Sequence, residues 1–406
     1  LATQHLAFIF QTWEKNAPVQ KHMVARYAVG NSISSVFIAS TVKYIIKSLY
    51  TIAGAIVISI TADGASENRA AFRMLATAKP KDLNIFEDLP QGLPCDIPIC
   101  FSHPIRRDIM VFIGGEMPHW VKKFVNSLEW SSNPKQKRQL LFRDNPLSLK
   151  MIERIWQHDC HGISDIRTNK LTEEHFYKNA FSRMRVHLAV QVVSNSVVEL
   201  ISKYEGNEEE DYSSLKCIIK SVDELVDLWN GDHCKGFESI NRPDHPYITK
   251  FYDILKLFGQ WRSEVMENIS QKKKNKEDVK ELSYRFISPQ LWNDLVWMVY
   301  GIAGVAKTYL CSDGSRTMVQ RRGGSDVMEH DFAGIRDANT NPTIHDVRGI
   351  SARRSGFRNH CFNKCAKTNS TGEIMIQISE INHELTRDKL DKQNDRRRSS
   401  YQGRKL

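Results

Sequence analysis

The chain has 406 residues, 41% hydrophobic and 26% charged, so it can bury a core spanning two or three domains, or one domain with a large insertion. That composition excludes a globally disordered or collagen-like chain. Lys and Arg number 57 against 47 Asp and Glu, and the net +10 favours a polyanionic partner, nucleic acid first.

Residues 6–13 and 18–29 read as strands. From Ile33 to Thr51 the apolar residues Val36, Phe37, Ile45, Ile46 and Leu49 recur with near-helical period, and Gly54 stops that helix. Residues 55–60 (Ala-Ile-Val-Ile-Ser-Ile) form a short apolar, β-branched run, the pattern of a strand buried on both faces. A second such strand, 109–113, leads into Pro118, which suits a first helical turn. The longest apolar run, Ile52 to Ala62, is far short of the ~18 residues of a membrane span, and no basic-plus-apolar leader opens the chain. Neither a membrane partner nor secretion is therefore expected. The chain begins with Leu1 rather than Met, so an upstream part is expected.

The character changes after about residue 135. Thr172 is predicted to cap a helix whose stripe of Phe176, Ala180, Met184, Leu188 and Val192 runs unbroken to about Ser202. Further helical patterns cover 222–229, 245–266 and 289–310, separated by an acidic linker at 205–211 and a basic one at 271–276. A largely helical block of about 150–180 residues thus interrupts an α/β pattern. The last twenty residues, 387–406, hold eight basic and three acidic side chains and read either as a DNA-binding arm or as a solvating tail. The eight cysteines show no C-x-x-C pair, so free thiols in the cytosol or nucleus fit best; His360, Cys361 and Cys365 lack a second ligand pair for zinc.

Asp63 follows the strand at 55–60, where open α/β sheets place their ligands; it could equally cap the next helix. Glu329 lies in Gly323-Gly324-Ser325-Asp326-Val327-Met328-Glu329. There Asp326 and Glu329 share a helix face, or form a capping box. Glu116 is a third acid at a strand end, or a plain helix-start carboxylate, and His119 reads as a packing histidine rather than a ligand. There is no phosphate-binding G-x-x-x-x-G-K-[ST] loop, no G-x-S-x-G elbow and no H-E-x-x-H. Strand-end carboxylates on a basic protein point to hard cations such as Mg²⁺, a pair of which clamps the oxygens of a phosphodiester.

Several segments, in order, resemble the P-element-like transposases, the family that includes THAP-domain transposases. They are Asp63-Gly64-Ala65-Ser66-x-Asn68-Arg69, Phe101-Ser102-His103-Pro104, Pro118-His119-x-Val121-Lys122 and Met184-Arg185-Val186-x-Leu188-Ala189-x-Gln191. Ser325-Asp326-x-x-Glu329-x-x-Phe332 and Asn341-Pro342-Thr343 follow. The resemblance implies an α/β, RNase H-like core interrupted by a large mainly helical insertion. Its parts would be 1–135 (first core part), 136–315 (insertion), 316–350 (last core segment, with the catalytic helix) and 351–406 (basic tail). It implies catalytic and metal-holding roles for Asp63 and Glu329, close together around two Mg²⁺ ions. Hydrolytic attack on DNA at element ends would be followed by attack of the freed 3′-hydroxyl on target DNA. It also implies a homo-oligomer, a nuclear location and possible GTP binding through Glu238, Asn241 and Asp326. The sequence departs from the pattern in three places. No Asp precedes Asp63, so the family's first acid would lie upstream of Leu1 in an N-terminally truncated chain. Glu116 replaces a usual Asp, and no THAP zinc finger is present. The alternative is a non-catalytic, transposase-derived DNA-binding or assembly protein.

Overall fold

A computed structural model describes residues 4–13, 21–29, 33–133, 135–161, 169–179, 182–234, 236–271 and 284–324. Asp326, Glu329, the His360–Cys365 group and the basic tail lie outside them.

β1 (Gln4–Gln11) and β2 (Lys21–Val29) form an antiparallel pair, close to the two predicted strands, with a register shift between Phe8 and Ile9. α1 (Ser35–Ala53) ends at Gly54, whose φ of 62° lets its N–H and that of Ala55 close onto the carbonyls of Tyr50 and Leu49. By length and composition alone α1 could cross a membrane. Here its Ile38, Val42 and Ile46 are buried in the core.

β3 (Ser59–Thr61), β4 (Cys100–Ser102) and β5 (Met110–Gly114) form a sheet of order β3-β5-β4, with β3 parallel and β4 antiparallel to β5. β5 is the buried centre, as predicted. The strand expected over 55–60 is instead three residues long and half-buried, with Ile56 40% exposed. Among the described residues it has a neighbour on one side only, and its apolar residues line an opening there. α2 (Ser66–Leu75) connects β3 onward, and α3 (Met117–Ser131) follows β5 with Pro118 in its first turn.

β6 (Leu141–Phe142) and β7 (Asn145–Pro146) make a tight hairpin with Arg143 and Asp144 at positive φ. Then come α4 (Leu149–His161), α5 (Glu173–Phe176), α6 (Val186–Val192), α7 (Asn195–Tyr204), α8 (Ser213–Asn230), α9 (Pro246–Gln271) and α10 (Pro289–Tyr309). The single helix predicted from Thr172 to Ser202 is thus broken twice. Asn179 and Ser182 bond each other's backbone N–H through their side chains, a local alternative to helical pairing. Ser194 donates its hydroxyl to Gln191 O, closing α6, and is itself the N-cap of α7.

α10 is buried nearly all round and lies against β5. Gly301 and Gly304 allow this: a Cβ at 301 would stand 2.7 Å from Ile113 O, and one at 304 would enter the Phe112 ring. Indole donors tie the layers together: Trp120 Nε1 to Leu291 O, Trp297 Nε1 to Pro98 O and Trp261 Nε1 to Leu141 O. One continuous apolar core runs from Ile38 to Met318.

On α8, burial and the neighbouring Asp227 push the Asp223 carboxyl up to about 6, against the pull of the Asn195 backbone N–H. A carboxyl raised in the folded state favours the protonated native form. Stability is therefore lost as pH climbs from about 4 to 6 and stays lower above that. Asp223→Asn is expected to raise stability at pH 7.5 by on the order of 1 kcal/mol, discounted for partial exposure, and to change nothing at pH 4. Urea midpoints at the two pH values check this.

Candidate active site

The parallel register pairs Thr61 with Gly114, so the two strands end side by side. Asp63 and Glu116 each follow two residues later and leave the same end of the sheet. Gly114 permits the close pairing, because a Cβ there would collide with the Thr61 hydroxyl.

Asp63 is exposed. Its Oδ1 accepts the Ala65 N–H at 3.2 Å and Asn68 Nδ2 at 2.6 Å. The residue at the N-cap of α2 is Ala65, so Asp63 shapes the turn ahead of the helix rather than capping it. Glu116 is the N-cap residue of α3, but it is buried and makes no side-chain cap bond. Its Oε2 lies 3.4 Å from His119 Nδ1, one helical turn on. Glu116 is therefore more than an exposed helix-start carboxylate, and His119 is its partner.

Cations surround this end of the sheet. Arg69 on α2 grips Asp294 on α10 through two parallel hydrogen bonds, one of them Nε to Oδ1 at 2.8 Å. Lys123 on α3 donates to Gly64 O at 3.0 Å. Burial, then the adjacent Arg69, lowers the Lys123 pKa, while Asp294 and Asp63 oppose the shift. Gly64 makes this possible, since a Cβ there would run into both Lys123 Nζ and the Arg69 guanidinium. The result is an outward carboxylate flanked by basic groups, a setting that suits a phosphate-bearing ligand.

No family model and no curated protein sequence matches the chain. Among solved structures, the Drosophila P element transposase strand transfer complex matches over 86% of this chain and 74% of that chain, at 14% identity and a TM-score of 0.54. The fold is transposase-like. In this transposase-like fold the predicted residues separate into three groups. Asp63, Glu116 and His119 line one small cavity together with Arg69 and Asp294. Glu238 and Asn241 lie elsewhere, in the loop before α9. Glu238 is exposed and bonds His245 Nε2 at 3.0 Å, and neither residue lines the cavity at Asp63. Asp326 and Glu329 are outside the described residues.

The cavity has a volume of about 10 Å³, room for about one water. Among the described residues no group of three or more His, Cys, Asp or Glu could hold a metal ion. Asp294 is committed to Arg69, and Glu116 is buried beside His119. Asp63 suits a single ligand position for a hard cation, but the described residues do not form a two-ion site.

Asp294 and Lys123 were not singled out from the sequence. Asp294 did carry a signal, being the one acid in the mainly apolar stretch 289–310. Lys123 had none, because its role depends on where Gly64 folds.

Proposed function

We propose that this chain is the catalytic region of a DNA transposase, with an RNase H-like core that cuts and joins phosphodiester bonds. Its DNA substrates would be element ends and target, in the nucleus, acted on by a homo-oligomer. One observation carries the reading: in a fold similar to a P element transposase over 86% of the chain, an exposed carboxylate, Asp63, stands at the end of a parallel strand pair beside Arg69, Lys122 and Lys123. The solved relative is itself a strand transfer complex. Magnesium is the cation such oxygen donors favour. Asp63 and Glu329 would hold it with a first acid from an upstream strand, and Mg²⁺ would supply charge stabilisation at the reacting phosphate. GTP bound near Glu238, Asn241 and Asp326 remains part of this proposal. The six described cysteines are all free, in keeping with a reducing compartment.

A second reading, a transposase-derived protein that binds DNA without cutting it, is favoured by one specific observation: of the acids lining the cavity, Asp294 is committed to Arg69 and Glu116 is buried beside His119, which leaves Asp63 as the outward carboxylate. Mg²⁺-dependent strand cleavage on element-end DNA separates the two. Cleavage by a chain extended upstream to include an Asp-bearing strand, abolished by Asp63→Asn, supports the transposase. DNA binding with no cleavage by either version supports the second reading.

The tail contributes to either. Deleting residues 387–406, with eight basic and three acidic side chains, is expected to weaken DNA binding. The salt slope should also flatten by roughly 3–5 in log K against log salt. An unchanged slope in a salt titration would assign the tail to solubility.

A further inference from the structure

Three cations stand around Asp63, and two of them are committed. Arg69 is held by both oxygens of Asp294, and its side chain is only 12% exposed. Lys123 donates to Gly64 O at 3.0 Å. Its half-buried amine and the Arg69 guanidinium crowd the same space, so that a Cβ on Gly64 would strike both. These bonds tie the turn after β3 to α3, and brace it with the Arg69–Asp294 clasp between α2 and α10. The backbone that carries Asp63 is fixed by them. Their charges are spent inward, one on a carboxylate and the other on a carbonyl.

Lys122 differs. It is half-buried, and among the described residues its amine makes no hydrogen bond and no ion pair. It stands near enough to Lys123 to add its repulsion there. With Asp63, Asn68 and His119 it lines one end of an open cavity of about 810 Å³, where β3 and β5 stop. His119 and Lys122 are three apart on α3 and so share a face.

An amine and a carboxylate on one cavity wall would ordinarily close on each other. Asp63 is held back from doing so, because its Oδ1 already accepts the Ala65 N–H at 3.2 Å and Asn68 Nδ2 at 2.6 Å. The site therefore keeps an uncompensated ammonium group facing the same space as a fixed carboxylate. A phosphodiester suits that arrangement. Its charged non-bridging oxygens need a cation, and lysine meets them as a point charge without the fixed fork that arginine requires.

We infer that Lys122 is the residue that grips a DNA phosphate at this site, and that Arg69 and Lys123 are positioning residues that hold the Asp63 turn without touching DNA. This rests on the proposal that the chain binds DNA, and it holds whether or not the DNA is then cut.

A salt titration of affinity for a fluorescently labelled duplex tests it, with the full chain and its Lys122→Met, Lys122→Arg and Lys123→Met variants. Lys122→Met should lower the slope of log K against log salt by about 1, and Lys122→Arg should keep the parent slope. Lys123→Met should leave the slope alone and lower the thermal unfolding midpoint instead, because Gly64 O loses its donor. Acylation of the Lys122 amine in the full chain, read by mass spectrometry, should slow several-fold when DNA is added. A slope unmoved by Lys122→Met would overturn the inference, as would acylation at Lys122 indifferent to DNA. An equal loss of slope in a folded Lys123→Met variant would overturn the division between the two lysines. A chain that binds no DNA fails the proposed function and this inference together. A chain that binds DNA with Lys122 uninvolved fails this inference alone.

Discussion

Gly304→Val and Gly301→Val are each expected to lower stability by about 3 kcal/mol, toward the upper end for overpacking a filled core. The cause is the backbone-close approach of α10 to β5. At 304 the new Cβ would enter the ring of Phe112, which is fully buried and has β3 and β4 paired on either side of its strand. At 301 it would meet the Ile113 carbonyl at 2.7 Å and the Gly114 Cα at 3.1 Å, and backbone cannot rotate away as a side chain can. Movement of β5 would also shift Gly114 and with it the paired ends that present Asp63 and Glu116. Urea denaturation of the two variants measures the loss. Gly314→Ala, whose Cβ would meet nothing within 4 Å but whose φ is +71°, is a control for backbone strain alone, and should cost about 1 kcal/mol.

Asp294→Ala carries the second large effect, a destabilisation of about 3 kcal/mol. Both partners of the Arg69–Asp294 pair are mostly hidden, at 12% and 13% side-chain exposure. Removing the carboxylate leaves a guanidinium that is desolvated and uncompensated. The nearby Lys123 adds like-charge repulsion once Asp294 is gone. Replacing both partners together, Arg69→Met with Asp294→Leu, should recover most of the loss, because no buried charge is then left alone. Thermal denaturation of the single and double variants gives the coupling. A double variant as unstable as Asp294→Ala would place the loss in packing rather than charge.

The readable parts of the fold are those set by neighbours in sequence. Gly54 ends α1 because only a residue tolerant of positive φ closes that cap, and Pro118 opens α3 because its missing N–H is not needed there. The paired strands before residue 30 show a β-rich composition that nothing local opposes. The helix predicted across 172–202 misled because periodicity registers the apolar stripe and not the competing Asn179–Ser182 side-chain bonds. The short β3 was unreadable for another reason. A strand with one open edge has the same apolar residues as one buried on both faces, and only the missing neighbour tells them apart. Of the site, Asp63 and Glu116 were legible as strand-end acids. Their environment was not, since Arg69 meets Asp294 across 225 positions of sequence. The pairing of Glu238 with His245 is local, seven positions apart, and what the sequence hid is that this loop lies away from the cavity at Asp63.

Zero-length carbodiimide coupling on the native chain tests most directly the proposal that Glu329 and Asp63 act together. Lys122 and Lys123 flank Asp63, and the lowered pKa of Lys123 leaves more of its amine in the neutral form that attacks an activated carboxyl. Mass spectrometry of the digest is expected to show the Glu329 peptide joined to the peptide bearing Lys122 or Lys123. Coupling of Glu329 only to lysines of the helical block, such as Lys203 on α7 or Lys216 on α8, would contradict the account.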